Sequence, residues 1–166
     1  MMKHHVVFIG DSAVGKTTLI HRIRTGKFDP YVRTTIGCDF SSYEYSDGET
    51  KHFAMLWDTC GRVDYISLIL PYIAKANLIV IVYDVAKPDS VSVWLEYVPD
   101  KTKILIVPVI KEKMSDPIKS SVNVVAKPVN NITGGNVESF EEDMIRLLTQ
   151  APKLRQRCGG CIDTSI

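Results

Sequence analysis

Apolar positions recur along this chain with two different periods. His5 to Ile9 is a short β-branched run stopped by Gly10, and beyond that turn Lys16 to Arg24 spaces its apolar residues as an amphipathic helix does. Phe40 to Ser46 alternates aromatic and polar side chains, Asp47 and Gly48 carry a turn, and His52 to Trp57 returns, which predicts an antiparallel hairpin. Leu78 to Tyr83, Ile104 to Val107 and Val122 to Val125 are nearly unbroken apolar runs, as strands are when helices cover both faces. Further helices are predicted over Tyr65 to Ala76, Asp89 to Tyr97 and Val137 to Gln150. The last of these gathers Val137, Phe140, Met144, Ile145 and Leu148 on one side. Between Lys111 and Ser121, Pro117 leaves room for a turn or two rather than a full crossover helix.

This order predicts an α/β fold of three layers, with a mostly parallel six-stranded sheet, one antiparallel hairpin strand, helices on both faces and a shortened second half. A single domain is expected over residues 1–151. From Pro152 the text PKLRQRCGGCIDTSI loses periodicity and reads as a flexible tail, 152–166.

Composition narrows the classes. A chain of 166 residues holds one sizeable core rather than two. A net charge of +1 with 23% charged residues gives no basic surplus for wholesale nucleic-acid binding, so no nucleic-acid partner is expected. Four cysteines, Cys38, Cys60, Cys158 and Cys161, do not make a disulfide framework and fit a reducing, cytoplasmic setting. The apolar run at Val6 to Ile9 is too short for a signal peptide, and the longest runs fall far below the ~20 residues that cross a bilayer.

The most specific chemical signal is GDSAVGKT, Gly10 to Thr17, which satisfies G-x-x-x-x-G-K-[ST] between a predicted strand and helix. Such a phosphate-binding loop turns the backbone N–H groups of Asp11, Ser12, Ala13, Val14, Gly15, Lys16, Thr17 and Thr18 toward a polyphosphate, aided by the positive end of the helix. The Lys16 ammonium suits the terminal phosphates, and the Thr17 hydroxyl suits magnesium.

With TTIGCDF (Thr34 to Phe40), LWDTCG (Leu56 to Gly61) and LIVIVYD (Leu78 to Asp84) following in order, the sequence resembles the Rab branch of the Ras-like small GTPases. The resemblance covers most of residues 5–100 closely and the rest loosely. It implies binding of GTP or GDP with Mg2+, hydrolysis of GTP, and protein partners: effectors, an exchange factor and a GTPase-activating protein, in vesicle trafficking on the cytoplasmic face of endomembranes. Position by position, it implies that Thr35 binds magnesium and senses the γ-phosphate. Asp58 holds the metal, Gly61 touches the γ-phosphate, and Phe28 lies against the base. Ile36, Phe40, Trp57 and Tyr72 form the effector surface. Lys111 lays its stem over the base, where Ala126 and Lys127 also meet it. Lys16, Thr35, Gly61 and Arg62 make up the catalytic set.

Three departures qualify this picture. Arg62 stands where the family has a water-orienting glutamine, and a guanidinium has donors but no acceptor, which predicts slow intrinsic hydrolysis. Arg62 can instead be read as a resident arginine finger or as a solvated arginine. VPVIKEKMSDP supplies no N-K-x-D in any register, leaving Glu112 or Asp116 as replacement acids and base selectivity open between guanine and adenine. The tail ends CGGCIDTSI, so prenylation of Cys158 or Cys161, and with it a membrane anchor, is open. A hydrolysis-deficient nucleotide-binding scaffold with a Rab-like surface is the alternative. A P-loop kinase fits less well, because TTIG and DTCG read as switches.

Overall fold

The computed structural model describes residues 3–46, 48, 50–111 and 124–150. Its elements run β1 (Lys3–Ile9), α1 (Lys16–Thr25), β2 (Cys38–Ser46), β3 (Lys51–Thr59), α2 (Ile66–Lys75), β4 (Leu78–Asp84), α3 (Ser90–Leu95), β5 (Lys103–Val109), β6 (Val124–Val125) and α4 (Val137–Thr149). A single 3-10 turn, Val63–Tyr65, leads into α2.

The strands form one six-stranded sheet in the order β2-β3-β1-β4-β5-β6. Among the described strands only β2 runs antiparallel, paired with β3 from Cys38 opposite Thr59 to Ser46 opposite Lys51. The hairpin strands are longer than their alternating patterns suggest, because pairing carries the ladder past the apolar positions to Cys38 and Lys51 at either end. α3 is shorter than the predicted Asp89 to Tyr97, at six residues. The sparse stretch after Lys111 and the tail from Pro152 lie outside the described residues.

Alternation along β1 divides the core. Val6 and Phe8 face a layer built by Leu19 and Ile23 of α1 with Phe140 and Met144 of α4. Val7 and Ile9 face the opposite layer, where Ile69 and Ile73 of α2 meet Val91 and Trp94 of α3. All four β1 residues are fully buried, and at ~25 cal/mol per Å2 such two-sided burial is the main source of stability. The parallel strands β1 and β4 end beside the loop to α1, and loops at that edge of the sheet carry the site.

Candidate functional site

The loop from Gly10 to Gly15 is shaped by backbone that few residues tolerate. Gly10 has φ 138°, and a Cβ there would stand 2.0 Å from the Val82 carbonyl oxygen, so β1 can turn against β4 only without a side chain. Ala13 lies in the left-handed region at φ 61°, a conformation that costs a non-glycine about 1 kcal/mol or more and is typical of anion-binding concavities. Lys16, 4% exposed, donates from Nζ to the carbonyls of Gly10 at 2.8 Å and Asp11 at 2.7 Å. Burial pulls its ammonium down to about 8, although Asp58, Cys60 and Asp11 act in the opposite direction.

Three oxygen-bearing side chains from separate segments meet next to it. Thr17 Oγ1 donates to Asp58 Oδ2 at 2.6 Å, Thr35 Oγ1 donates to the same oxygen at 2.8 Å, and the two hydroxyls are 2.9 Å apart. Asp58 is buried, and its second oxygen, Oδ1, has no hydrogen-bond partner. Burial pushes this carboxyl up, while the Thr17 and Thr35 hydroxyls and Lys16 pull it down. A carboxylate with one oxygen shared by two hydroxyls and the other unpartnered gives, with those hydroxyls, a hard, all-oxygen donor set that fits Mg2+.

A cavity of about 170 Å3 opens between the loop and the segment before β2, with Ser12, Lys16 and Thr17 on one wall and Arg33 and Thr35 on the other. Thr59 and Cys60 also line it, and Gly61 follows them against the loop. At φ 73°, a Cβ on Gly61 would lie 2.4 Å from Lys16 Nζ and 2.6 Å from the Asp11 carbonyl. Arg62 turns away toward its own segment, its guanidinium 3.2 Å from the Asp64 carboxylate and 5.0 Å from the centre of the Tyr65 ring.

A second recess of about 160 Å3 adjoins the loop on its other side, bounded by Val14, Thr18, Phe28, Ile110, Lys111 and Asn131. Lys111 is fixed by a 3.0 Å ion pair to Asp84. No carboxylate lines this recess among the described residues, and Glu112 and Asp116 fall outside them. The expectation for Ala126 and Lys127 is corrected here. Ala126 is buried with its N–H donating to Ile106 O at 2.9 Å in the sheet, Lys127 is exposed, and neither lines the recess.

The loop after Val129 takes their place. Asn131 donates from Nδ2 to Gly15 O at 3.1 Å, and Arg22 of α1 donates to the carbonyls of Asn131 at 2.8 Å and Ile132 at 3.2 Å. Sequence reasoning missed both residues. The available signal was the turn chemistry of NNITGGN, where the Asn130 side chain accepts from the N–H groups of Ile132 and Thr133.

Phe40, Trp57 and Tyr72 form one contiguous strip, with ring centroids 5.4 Å apart for the first pair and 4.5 Å for the second. Ile36, four positions before Phe40, is 94% exposed. The Trp57 indole N–H donates to His5 Nδ1 at 3.1 Å, a support that the sequence did not announce.

With this geometry in place, the comparisons with known proteins decide the lineage. Residues 5–115 match the family described as Ras of Complex, Roc, domain of DAPkinase. The chain belongs to the Ras-like GTPase domains. It is also similar to the Ras-related protein Rab-44 of Mus musculus, at 39% identity over 101 residues. That match covers 58% of this chain and 10% of the mouse protein, so the chain corresponds to a small part of that relative's length. The Rab-type resemblance read from TTIGCDF and LWDTCG is thereby borne out, and the Ras-like fold accounts for the sheet order and the position of the loop. Cys158 and Cys161 lie outside the described residues. Among the described residues no helix is long and apolar enough to cross a membrane.

Proposed function

We propose that this chain is a magnesium-dependent GTP/GDP switch of Rab type with slow intrinsic hydrolysis, acting through effectors in vesicle trafficking on the cytoplasmic face of endomembranes. The observation that carries the reading is the convergence of the Thr17 and Thr35 hydroxyls on one carboxylate oxygen of buried Asp58, near Lys16. Those three residues would hold Mg2+, which when bound supplies neutralisation of charge on the β- and γ-phosphate oxygens.

The remaining work falls to the chain itself. Lys16 Nζ exchanges its two carbonyl partners for phosphate oxygens, and the loop N–H groups bind the rest of the anion. Thr35 closes the segment before β2 while the γ-phosphate is present and releases it after loss of that phosphate. Water attacks the γ-phosphorus, the bond to the β-phosphate oxygen breaks, and GDP and inorganic phosphate result. Arg62 offers that water no acceptor, which supports slow turnover. Phe28 and Lys111 flank the base, and the lack of N-K-x-D in VPVIKEKMSDP supports relaxed selectivity between guanine and adenine. An exchange factor, a GTPase-activating protein and a lipid anchor at Cys158 or Cys161 belong to the same proposal.

A second reading is favoured by one observation. Arg62 is engaged with Asp64 and Tyr65 rather than directed at the cavity, as expected of a nucleotide-binding scaffold that presents the aromatic strip without turnover. Chromatography of the co-purified nucleotide, followed by single-turnover assay with GTP and magnesium, separates the two. Bound nucleotide with measurable release of phosphate supports the switch. Bound nucleotide without release supports the scaffold, and no saturable uptake of GTP or ATP removes both.

A further inference from the structure

The phosphate-binding loop contains an acid, Asp11, which poses an electrostatic problem. A carboxylate on a loop that gathers a polyanion repels it unless the side chain is held elsewhere. The loop around it serves the site: Ser12 lines the phosphate cavity, and the backbone carbonyl of Asp11 accepts from Lys16 Nζ. The Asp11 side chain does not line that cavity. Its Oδ1 instead accepts the indole N–H of Trp94 at 2.8 Å, across eighty-three positions of sequence.

Trp94 is well suited to this hold. It is wholly buried in the layer between α2, α3 and the sheet, and it packs edge-on to Tyr97. An indole N–H donates and cannot accept, so it engages a carboxylate in one sense only. Buried, it also needs an acceptor, and the ionised one it has makes a stronger bond than a neutral carbonyl would.

We propose that Trp94 is a positioning residue for nucleotide binding, whose N–H holds the Asp11 carboxylate away from the phosphates and fixes the loop that Lys16 and Gly61 touch. The proposal rests on the nucleotide-switch reading above. It gives the short helix α3, none of whose residues line the phosphate cavity, a part in setting affinity through charge rather than contact.

The test is a double-mutant cycle read by calorimetric titration of the full chain with GDP and magnesium at low and high ionic strength. Trp94→Phe removes the N–H and keeps an aromatic ring. In the native background it should weaken GDP binding by about tenfold at low salt, and added salt should shrink that loss as it screens the freed carboxylate. In an Asp11→Asn background the same Trp94→Phe change should cost less than about twofold, since a neutral amide repels no phosphate. A loss of equal size in both backgrounds, or one indifferent to salt, reduces Trp94 to packing and overturns the proposal, as does an absence of any loss.

Should Trp94→Phe not fold, Asp11→Glu is compared with Asp11→Gln in the presence of Trp94. The longer carboxylate overshoots the fixed indole and should bind GDP about tenfold more weakly than its neutral isostere; equal affinities overturn the proposal. If the unmodified chain takes up no GDP, the switch reading itself has failed.

Discussion

Thr35 reaches across from the segment before β2 to donate a hydrogen bond to Asp58 Oδ2 at 2.8 Å, and Asp58 sits near the end of β3. The two residues proposed to hold Mg2+ thus already touch across neighbouring segments. The segment before β2 is clasped by a single oxygen that Thr17 also uses.

Removing that oxygen should uncouple the metal from the nucleotide. Asp58→Ala is expected to lower GDP affinity in the presence of magnesium by at least about tenfold, and to abolish the weakening that chelation causes in the native chain. Calorimetry with and without a chelator reads both effects, and chelator sensitivity that persists in the variant would place the metal elsewhere.

Gly61 tolerates no side chain. In Gly61→Ala the new methyl meets Lys16 Nζ and the Asp11 carbonyl while the backbone stays left-handed, a strain of about 1–3 kcal/mol. Single-turnover hydrolysis should fall by at least about tenfold as Lys16 is displaced, and the thermal midpoint should drop by several degrees.

Arg62→Gln should restore an acceptor beside the cavity. Hydrolysis in single turnover is expected to rise by about tenfold or more, with GDP affinity little changed. A slower variant would instead assign Arg62 a share in stabilising charge during turnover.

A pH response is built in at the opposite end of the sheet. His4 is buried beside Tyr45 and His52, and its imidazole is lowered from the usual 6.5 first by burial, then by His52, Lys103 and His5. The unfolded chain therefore binds more protons in the window below about pH 6.5, so stability falls as the solution is acidified through that window. Thermal midpoints measured from neutral pH downward should show this decline, and His4→Asn, which keeps a hydrogen-bonding partner for Tyr45, should flatten it.

What the sequence disclosed follows from the range of each signal. The Gly10 to Thr17 loop, β1 and α4 were legible because motif, alternation and helical period are local properties of a few consecutive residues. The aromatic strip was legible through family resemblance, yet His5 under Trp57 was not, since nothing local marks a histidine as the partner of an indole fifty-two positions away. Ala126 illustrates the opposite error. Its neighbours read like a base-binding signal, but the partner of its N–H is chosen by the pairing of β6 with β5, a tertiary fact. Asn131, tied to Gly15 across 116 positions, is visible only once the fold has brought the two loops together.

Among the described residues, the margin of the sheet next to the recess at Phe28 and Lys111 is held by few contacts. Among these described residues β6 contributes Val124 and Val125 to the ladder, an isolated bridge joins Val109 to Val129, and Asn131 and Arg22 stitch the following turn to the rest. A ligand lodged there would act as a rivet between that border and the first helix. Amide exchange in the empty molecule should begin at this flank and slow most upon loading, making occupancy a mechanical fastening as much as a signal.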